Sequence, residues 1–443
     1  MLFRISDVTT NSNESATHAR LRDEYLRDDR PWVVAYSGGK DSTALLQQVY
    51  KLVLELGSRA GKPIHIIASD TKVEAPIVED YLAASLSAIE LHAREHAPSI
   101  SVHHVQPEPD QTFWTNLIGR GYPPPTRSFR WCTTKIKIRP ARRIIEDIAK
   151  RYGSVLLLLG TRSAESSSRS QRMEARETND RGLNPHHEIP NALVFTPIAE
   201  WSNDEVWDYL FRNNPAPWGT RHDDMLELYR QANGGECPVV LDLNTPSCGG
   251  SRFGCWTCTV VRQDRSMQGF IATGDEWMRP LAEFRDTLKV WRERPEMRES
   301  KRRSGEIGPG PFTLAARQQI LEALFQVESE VRRKLIDDEE LQCIQYHWQR
   351  EGDATQSALR LAKRYGRIVS EGGQFSMDNL NRELIAELAS EYEIQEAWIE
   401  ELLYLVDQKY PTLAQRGARP ALNEDVRFVV EKAVQQEDIA AAP

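Results

Sequence analysis

"YSGGKDST" occupies residues 36–43, between the apolar run Trp32–Tyr36 and a periodic apolar stretch from about Asp41 to Leu56. This places a two-glycine turn between a buried strand and a helix. Glycine accepts positive φ and lets backbone approach closely. Successive amide N–H groups in such a turn form a concavity at the helix N-terminus, where the macrodipole favours an anion. Gly38 and Gly39 free the backbone, Ser37 and Ser42 add hydroxyl donors, and Lys40 adds a point charge. Asp41 is an anion beside an anion site, which makes sense as a ligand for Mg²⁺. The loop is not a Walker A motif, because Val34 stands where that motif needs its first glycine. A plain strand–helix turn is the alternative; two glycines, two serines and two opposite charges together favour a phosphate loop.

Working outward, strands and helices alternate. "IHIIASD" (64–70), "SISVHHVQP" (99–107), "SVLLLLGTR" (154–162) and "ALVFTPIAEW" (192–201) read as further strands. Helices are expected over about 15–30, 76–97 and 139–153. "SNDEVWDYL" opens with Ser202 as N-cap and Glu205 at N3, a capping-box pattern. The alternation predicts an α/β fold with a doubly wound, mostly parallel sheet up to about residue 215. Residues 216–312 form a Cys-rich insert with weak periodicity, helical over 263–300 and carrying a basic run. Residues 313–443 read as mainly helical, with one long helix from Thr313 to about 350.

The chain has 443 residues, 40% hydrophobic and 27% charged, with net charge −9 and pI near 5.7. That is an ordinary globular composition. No run of about eighteen apolar residues occurs, so no membrane association is expected. The first twenty residues lack a secretory apolar core, and the cytoplasm is the expected location. An acidic chain does not grip nucleic acid with its whole surface, so any such contact is local. "RERPEMRESKRR" (292–303) is the basic segment; a solvated helix face is its bland reading.

Six cysteines are too few for a disulfide scaffold in a chain of this length. "SCGGSRFGCWTCTVV" holds Cys248, Cys255 and Cys258, the last two at ligand spacing. The fourth ligand must lie elsewhere: Cys132, Cys237 or a histidine. Cys343 reads as a buried helical thiol. Four thiolates suit zinc as well as an iron–sulfur cluster. Arg162, at the end of a buried strand, can clamp an anion together with Lys135 and Lys137. Glu165 orients Arg162 or a metal, or simply starts a helix. Asp70 also ends a strand, in a metal or ribose role. His186 and His187 fall in a polar loop, and Trp201 and Trp207 read as core.

SGG-x-DS after a first strand resembles the pyrophosphate loop of the ATP pyrophosphatase superfamily. "ASDTKVEAP" (68–76), "WCTTKIKIRPARR" (131–143), "LGTRSAESSSR" (159–169) and "PIAEWSNDEVWDYL" (197–210) resemble, in order, motifs of its phosphoadenylyl-sulfate (PAPS) reductase branch. Trp131 stands where that branch has a further cysteine. The resemblance implies an adenine nucleotide alpha hydrolase-like fold over residues 1–215. It also implies that ATP is held by Ser37–Ser42, with adenosine and ribose contacts near Asp70. Lys40, Asp41, Arg162 and Lys135 would be the catalytic set. The branch brings its cysteine segment to a later CxxC around a [4Fe–4S] cluster, which implies Cys132, Cys248, Cys255 and Cys258 as ligands and favours iron–sulfur over zinc.

With "CGGSRFGCWTC" and the basic segment, the chain looks most like the DndC family; the single-strand phosphorothioation protein SspD is a close rival. DndC proteins act in DNA phosphorothioation, a component of restriction–modification systems in which sulfur replaces a non-bridging phosphate oxygen. That resemblance implies an ATP pyrophosphatase and sulfurtransferase with DNA, a cysteine desulfurase and DndD- and DndE-like subunits as partners. The alternatives are a PAPS or adenylyl-sulfate reductase, or a non-catalytic ATP-binding iron–sulfur scaffold. The reductase reading requires a mobile C-terminal cysteine, and none follows Cys343.

Overall fold

The computed structural model describes residues 10–163, 182–232, 253–353 and 355–369. Helix α1 (Thr10–Arg27) precedes β1 (Trp32–Ala35), α2 (Lys40–Leu56), β2 (Ile64–Ser69), α3 (Pro76–His96), β3 (Ile100–Val105), α4 (Arg139–Tyr152) and β4 (Val155–Leu158). Then come β5 (Leu183–Pro185), β6 (Ala192–Phe195) and α5 (Asn203–Arg212). The sheet order is β3-β2-β1-β4-β6-β5, all parallel except β5 against β6. The fold is therefore the doubly wound, mostly parallel α/β type.

The strands β1 and β4 are buried throughout, as expected of centre strands covered on both faces. Their alternation divides the core. Trp32, Val34, Leu156 and Leu158 pack with α2 and α3 residues such as Leu45, Val49, Leu86 and Ile89 on one face. Val33, Ala35, Val155 and Leu157 pack against Ala141, Ile145 and Ile148 of α4 on the other. The strand order reverses direction between β1 and β4, so a crevice opens at their carboxyl ends. Gly160, just after β4, faces that crevice. A Cβ on it would come within 2.9 Å of the Asp41 carbonyl carbon and oxygen.

Beyond the sheet lie α6 (Asp223–Ala232), α7 (Arg265–Ala272), α8 (Arg279–Glu293), α9 (Leu314–Val331), α10 (Asp338–Arg350) and α11 (Ser357–Arg364). They build a third, separate core with the 113–131 segment: Phe113, Trp114, Trp256, Phe284, Leu324 and Trp348 belong to it. No helix among the described residues is long and apolar enough to cross a membrane.

Several elements differ from the sequence expectation. The long helix from Thr313 is two helices. Arg332 takes the left-handed conformation at φ 53°, and Glu328 Oε1 accepts from the Ile336 amide at 3.1 Å, turning the chain. Asp337 then restarts it, its amide donating to Glu340 Oε2 at 2.8 Å. The basic run is not a helix face past Glu293. It enters a hairpin-like excursion bridged at Arg298–Phe312 and Lys301–Ile307. Residues 223–232, in the stretch of weak periodicity, are helical, and β5 is an additional strand.

Gly160→Ala should destabilise the protein by about 1–3 kcal/mol through overpacking against the Asp41 backbone. Exposed Gly61, with nothing within 4 Å of its added Cβ, should tolerate alanine within about 0.5 kcal/mol. Urea unfolding of both variants measures the difference.

Candidate functional site

Strand β1 delivers Tyr36, whose amide donates to Ile67 O at 2.9 Å. The chain then turns at Gly38 with φ +74°, a conformation that strains any other residue. Gly39 is the N-cap of α2 and carries no side-chain cap. The loop is braced from within. Ser42 Oγ donates to Gly39 O at 2.9 Å and accepts from the Ser37 amide at 3.2 Å. With its proton committed, it also accepts from Ser37 Oγ at 3.0 Å.

Lys40, Asp41 and Arg162 are 6%, 1% and 4% exposed. Lys40 Nζ lies 2.7 Å from Asp41 Oδ2, and Arg162 Nε donates to Asp41 Oδ1 at 2.5 Å. Arg162 Nη1 also donates to Trp201 O at 3.2 Å. Among the described residues, Asp41 thus bridges two cations at the crevice beside the loop amides. Cations and backbone amides placed together suit an anion. Each Asp41 oxygen already accepts from one cation, and each has a second lone pair. Lys135 has other partners: Gln111 Oε1 at 2.8 Å and the Tyr122 ring, 5.6 Å to its centroid.

Asp70 follows β2. Its Oδ1 accepts from the Lys72 amide at 2.8 Å and its Oδ2 from Gln106 Nε2 at 2.7 Å. It lines a charged cavity of about 120 Å³ with Lys72, Glu79, Arg333 and Glu340. Burial pushes the Glu340 carboxyl up to about 7.

The cysteine turn is fastened to this same edge. Glu74 and Cys255 form an antiparallel bridge, and the Trp256 amide donates to Val73 O at 2.9 Å. Thr71 Oγ1 lies 3.5 Å from Cys255 Sγ. The turn closes with the Cys258 amide donating to Cys255 O at 3.0 Å. Cys132 sits at the start of a π-helical turn, Thr133–Ile138. Cys132, Cys255 and Cys258 line one cavity together with Phe113, Arg130 and Lys137. Burial, and then the neighbouring Cys258, push the Cys132 thiol up to about 11, while Lys137 opposes them. Burial also raises Cys255. Thiolates here need a cation, and three sulfur donors on one wall match the chemistry of a cysteine-ligated metal group. Among the described residues no group of three or more such side chains is already placed to hold a metal ion. Cys248, the expected fourth ligand, lies outside the described residues, as do Cys237 and Glu165. Cys343 is 3% exposed inside α10, packed as a core thiol.

Two residues not singled out in the sequence connect the loop to the cysteines. The Lys40 amide donates to the Tyr229 hydroxyl at 3.4 Å, and Lys40 Nζ lies 5.6 Å from that ring's centroid. Tyr229 in turn meets Phe253 edge-on at 4.9 Å, two residues before Cys255. A third, Arg285, is 2% exposed and donates to Cys258 O at 2.9 Å and Arg262 O at 3.2 Å. The sequence does carry a signal for it. Arg285 lies on the apolar stripe of α8 with Leu281, Phe284 and Leu288, where a charge needs buried acceptors.

The family model described as the phosphoadenosine phosphosulfate reductase domain matches residues 31–261. A protein of Methanocaldococcus jannaschii described as uncharacterized is 23% identical over 287 residues, covering 64% of this chain and 48% of that protein. The chain thus spans about half the length of that relative. Among solved structures, PAPS reductase from Candida auris in a phosphate complex is 14% identical with a TM-score of 0.31. It covers 52% of this chain and 94% of its own. The tRNA thiolase NcsA from Methanococcus maripaludis, with its [4Fe–4S] cluster, is 12% identical with a TM-score of 0.30, covering 64% and 79%. Likeness at that level bears on neither substrate nor cofactor.

Asp41→Ala leaves Lys40 and Arg162 buried without their shared carboxylate. It should cost about 3–5 kcal/mol of stability, read as a lower unfolding midpoint that added pyrophosphate partly restores.

Proposed function

The chain belongs to the phosphoadenosine phosphosulfate reductase domain family, and from that membership we propose that it is an ATP pyrophosphatase and sulfurtransferase that replaces a non-bridging oxygen of a DNA phosphate with sulfur. The observation that carries this reading is the physical join between the two sites. The phosphate loop reaches the cysteine turn through Lys40, Tyr229 and Phe253, and the end of β2 reaches it through Glu74 and Cys255. Nucleotide activation and sulfur handling then share one wall.

The chemistry needs both halves. An oxygen of a phosphodiester is a poor leaving group. Attack of that oxygen on the α-phosphorus of ATP expels pyrophosphate and leaves the diester adenylylated. Hydrosulfide then attacks the diester phosphorus, and AMP departs with the former diester oxygen. The hydrosulfide proton ends on pyrophosphate, so atoms and charge balance in this substitution, and no atom changes oxidation state once hydrosulfide is supplied. Lys40, Arg162 and the loop amides stabilise the charge that gathers on the leaving pyrophosphate, with Mg²⁺ as its counterion. Asp41 holds the two cations together beside the loop amides. Lys137 lines the cysteine pocket and favours an anionic diester there; Lys135 sits apart, on Gln111 and the Tyr122 ring.

Cys132, Cys255 and Cys258, with Cys248, would hold the [4Fe–4S] cluster. When bound, such a cluster supplies iron–sulfur chemistry at which inorganic sulfur can be held. A cysteine desulfurase fits as the sulfur source, its persulfide releasing hydrosulfide on two-electron reduction by a thiol reductant; Cys343, buried in its helix, is not placed to carry sulfur to the site. The DNA substrate and the DndD- and DndE-like partners follow the DndC resemblance.

Pyrophosphate release from ATP should depend on added DNA and a sulfide source, and Lys40→Ala should lower it about 100-fold. Anaerobically purified protein should be brown, with a broad visible absorbance bleached by dithionite and reduced in Cys132→Ser. Pyrophosphate release that ignores DNA, or a colourless protein carrying stoichiometric zinc, would sink this reading.

A further inference from the structure

The chain is acidic overall, yet residues 111–145 contain eight Arg or Lys and no Asp or Glu. Part of that charge is engaged. Arg120 pairs with Asp110, Lys137 faces Glu74, and Arg142 and Arg143 pair with glutamates. Arg127 has no ion pair or side-chain hydrogen bond among the described residues, and it is exposed.

Arg127 sits in a tight turn. The Thr126 amide donates to Phe129 O and the Phe129 amide to Thr126 Oγ1, both at 3.1 Å. That turn presents Arg127, Ser128 and Phe129 outward. Phe129 is 42% exposed, and its inner face stacks on Tyr122 at 6.2 Å with 25° between the rings. Tyr122 is itself backed by Arg303, whose guanidinium lies 4.5 Å from the ring centroid and donates to Arg120 O. Arg303 belongs to the hairpin between Arg298 and Phe312, which also exposes Lys301 and Arg302. A supported aromatic ring with cations on both sides therefore stands on the surface.

Its position is what gives it meaning. Pro125 and Arg130, at the two ends of this turn, line the cysteine cavity. Pro125 O is held by Thr259 Oγ1 at 2.7 Å and by Arg292 Nη1 at 2.9 Å, so the turn is anchored to the cysteine loop. The turn that carries Arg127 and Phe129 thus borders the cavity that Cys132, Cys255 and Cys258 line.

Resting on the function proposed above, the geometry points to this turn and the 298–312 hairpin as the docking surface for an unpaired stretch of DNA strand. One base stacks on Phe129, the flanking phosphates meet Arg127 and Arg303, and the next phosphodiester enters the cavity mouth beside Arg130. A planar, sequence-tolerant stacking surface flanked by cations is the chemistry that single strands use. A duplex offers no open base face to a ring that protrudes. An anionic membrane would meet the same cations, but its flat surface cannot reach the cavity that the turn borders.

The test is fluorescence anisotropy of the full-length protein with a fluorescein-labelled single-stranded DNA oligonucleotide, titrated at several salt concentrations. Phe129→Ala should weaken binding about 10-fold, within the range for loss of one stacked base, and Phe129→Trp should restore it. Arg127→Ala and Arg303→Ala should each weaken binding and reduce the salt slope by about one. A duplex of the same sequence should bind more weakly and be indifferent to Phe129→Ala. ATP binding, measured in parallel, should be unchanged in all four variants. If single-stranded DNA binds but none of these substitutions matters, the surface is wrong while the proposed function stands. If the variants lose binding to anionic lipid vesicles and not to DNA, the partner is wrong. If no DNA of any kind binds, both the surface and the DNA substrate fall.

Discussion

Asp41, 1% exposed, lies between Lys40 and Arg162, and the rest of the site depends on that contact. Three charges buried together are costly to desolvate, and the pairing is what makes their burial tolerable. The same contact joins two chain segments far apart in sequence: the loop after β1 and the segment after β4. These are the strands between which the sheet reverses direction. Gly160 lets the β4 exit approach the Asp41 backbone closely enough for Arg162 to reach over. Fold topology supplies the crevice, and Lys40, Asp41 and Arg162 put charge into it.

The second constraint is that the cysteine turn belongs to a different core. Trp256, one residue after Cys255, is 3% exposed and packs with Trp114 and Phe284 in the helical core, not in the cores on the sheet faces. The turn nevertheless pairs with Glu74 from the sheet edge and is held from behind by Arg285. Val73 and Ala75, on either side of Glu74, pack into that same helical core, so the turn is held where the sheet edge and the helical core meet.

How much of this was legible in sequence follows from how local each feature is. The turn between β1 and α2 was legible because its glycines, hydroxyls and charges are adjacent in the chain. The Ser202–Glu205 box was also legible, and both of its hydrogen bonds are present at 3.2 and 2.7 Å. The break between α9 and α10 was missed because no proline or glycine marks it; Glu328 makes it by bonding backbone amides beyond the helix end. The helix was read on to about 300 and the basic run 292–303 as its solvated face; the hairpin at 298–312 was missed, although Gly308 and Gly310 sit where a side chain would collide with Arg302 and Lys301. Tyr229 and Phe253 carry no local signature at all, since their meaning lies only in what they touch. The resemblance supplied Cys132 as a partner for the later cysteines, and the structure puts the three in one cavity wall.

The central claim is that nucleotide and sulfur sites form one unit, coupled through Tyr229 and Phe253. The most direct measurement is the electron paramagnetic resonance spectrum of the reduced, cluster-loaded protein, recorded with and without saturating ATP and Mg²⁺. Coupling predicts a changed signal on ATP binding, and loss of that change in Tyr229→Leu while ATP still binds. A spectrum indifferent to ATP in the unaltered protein would contradict it.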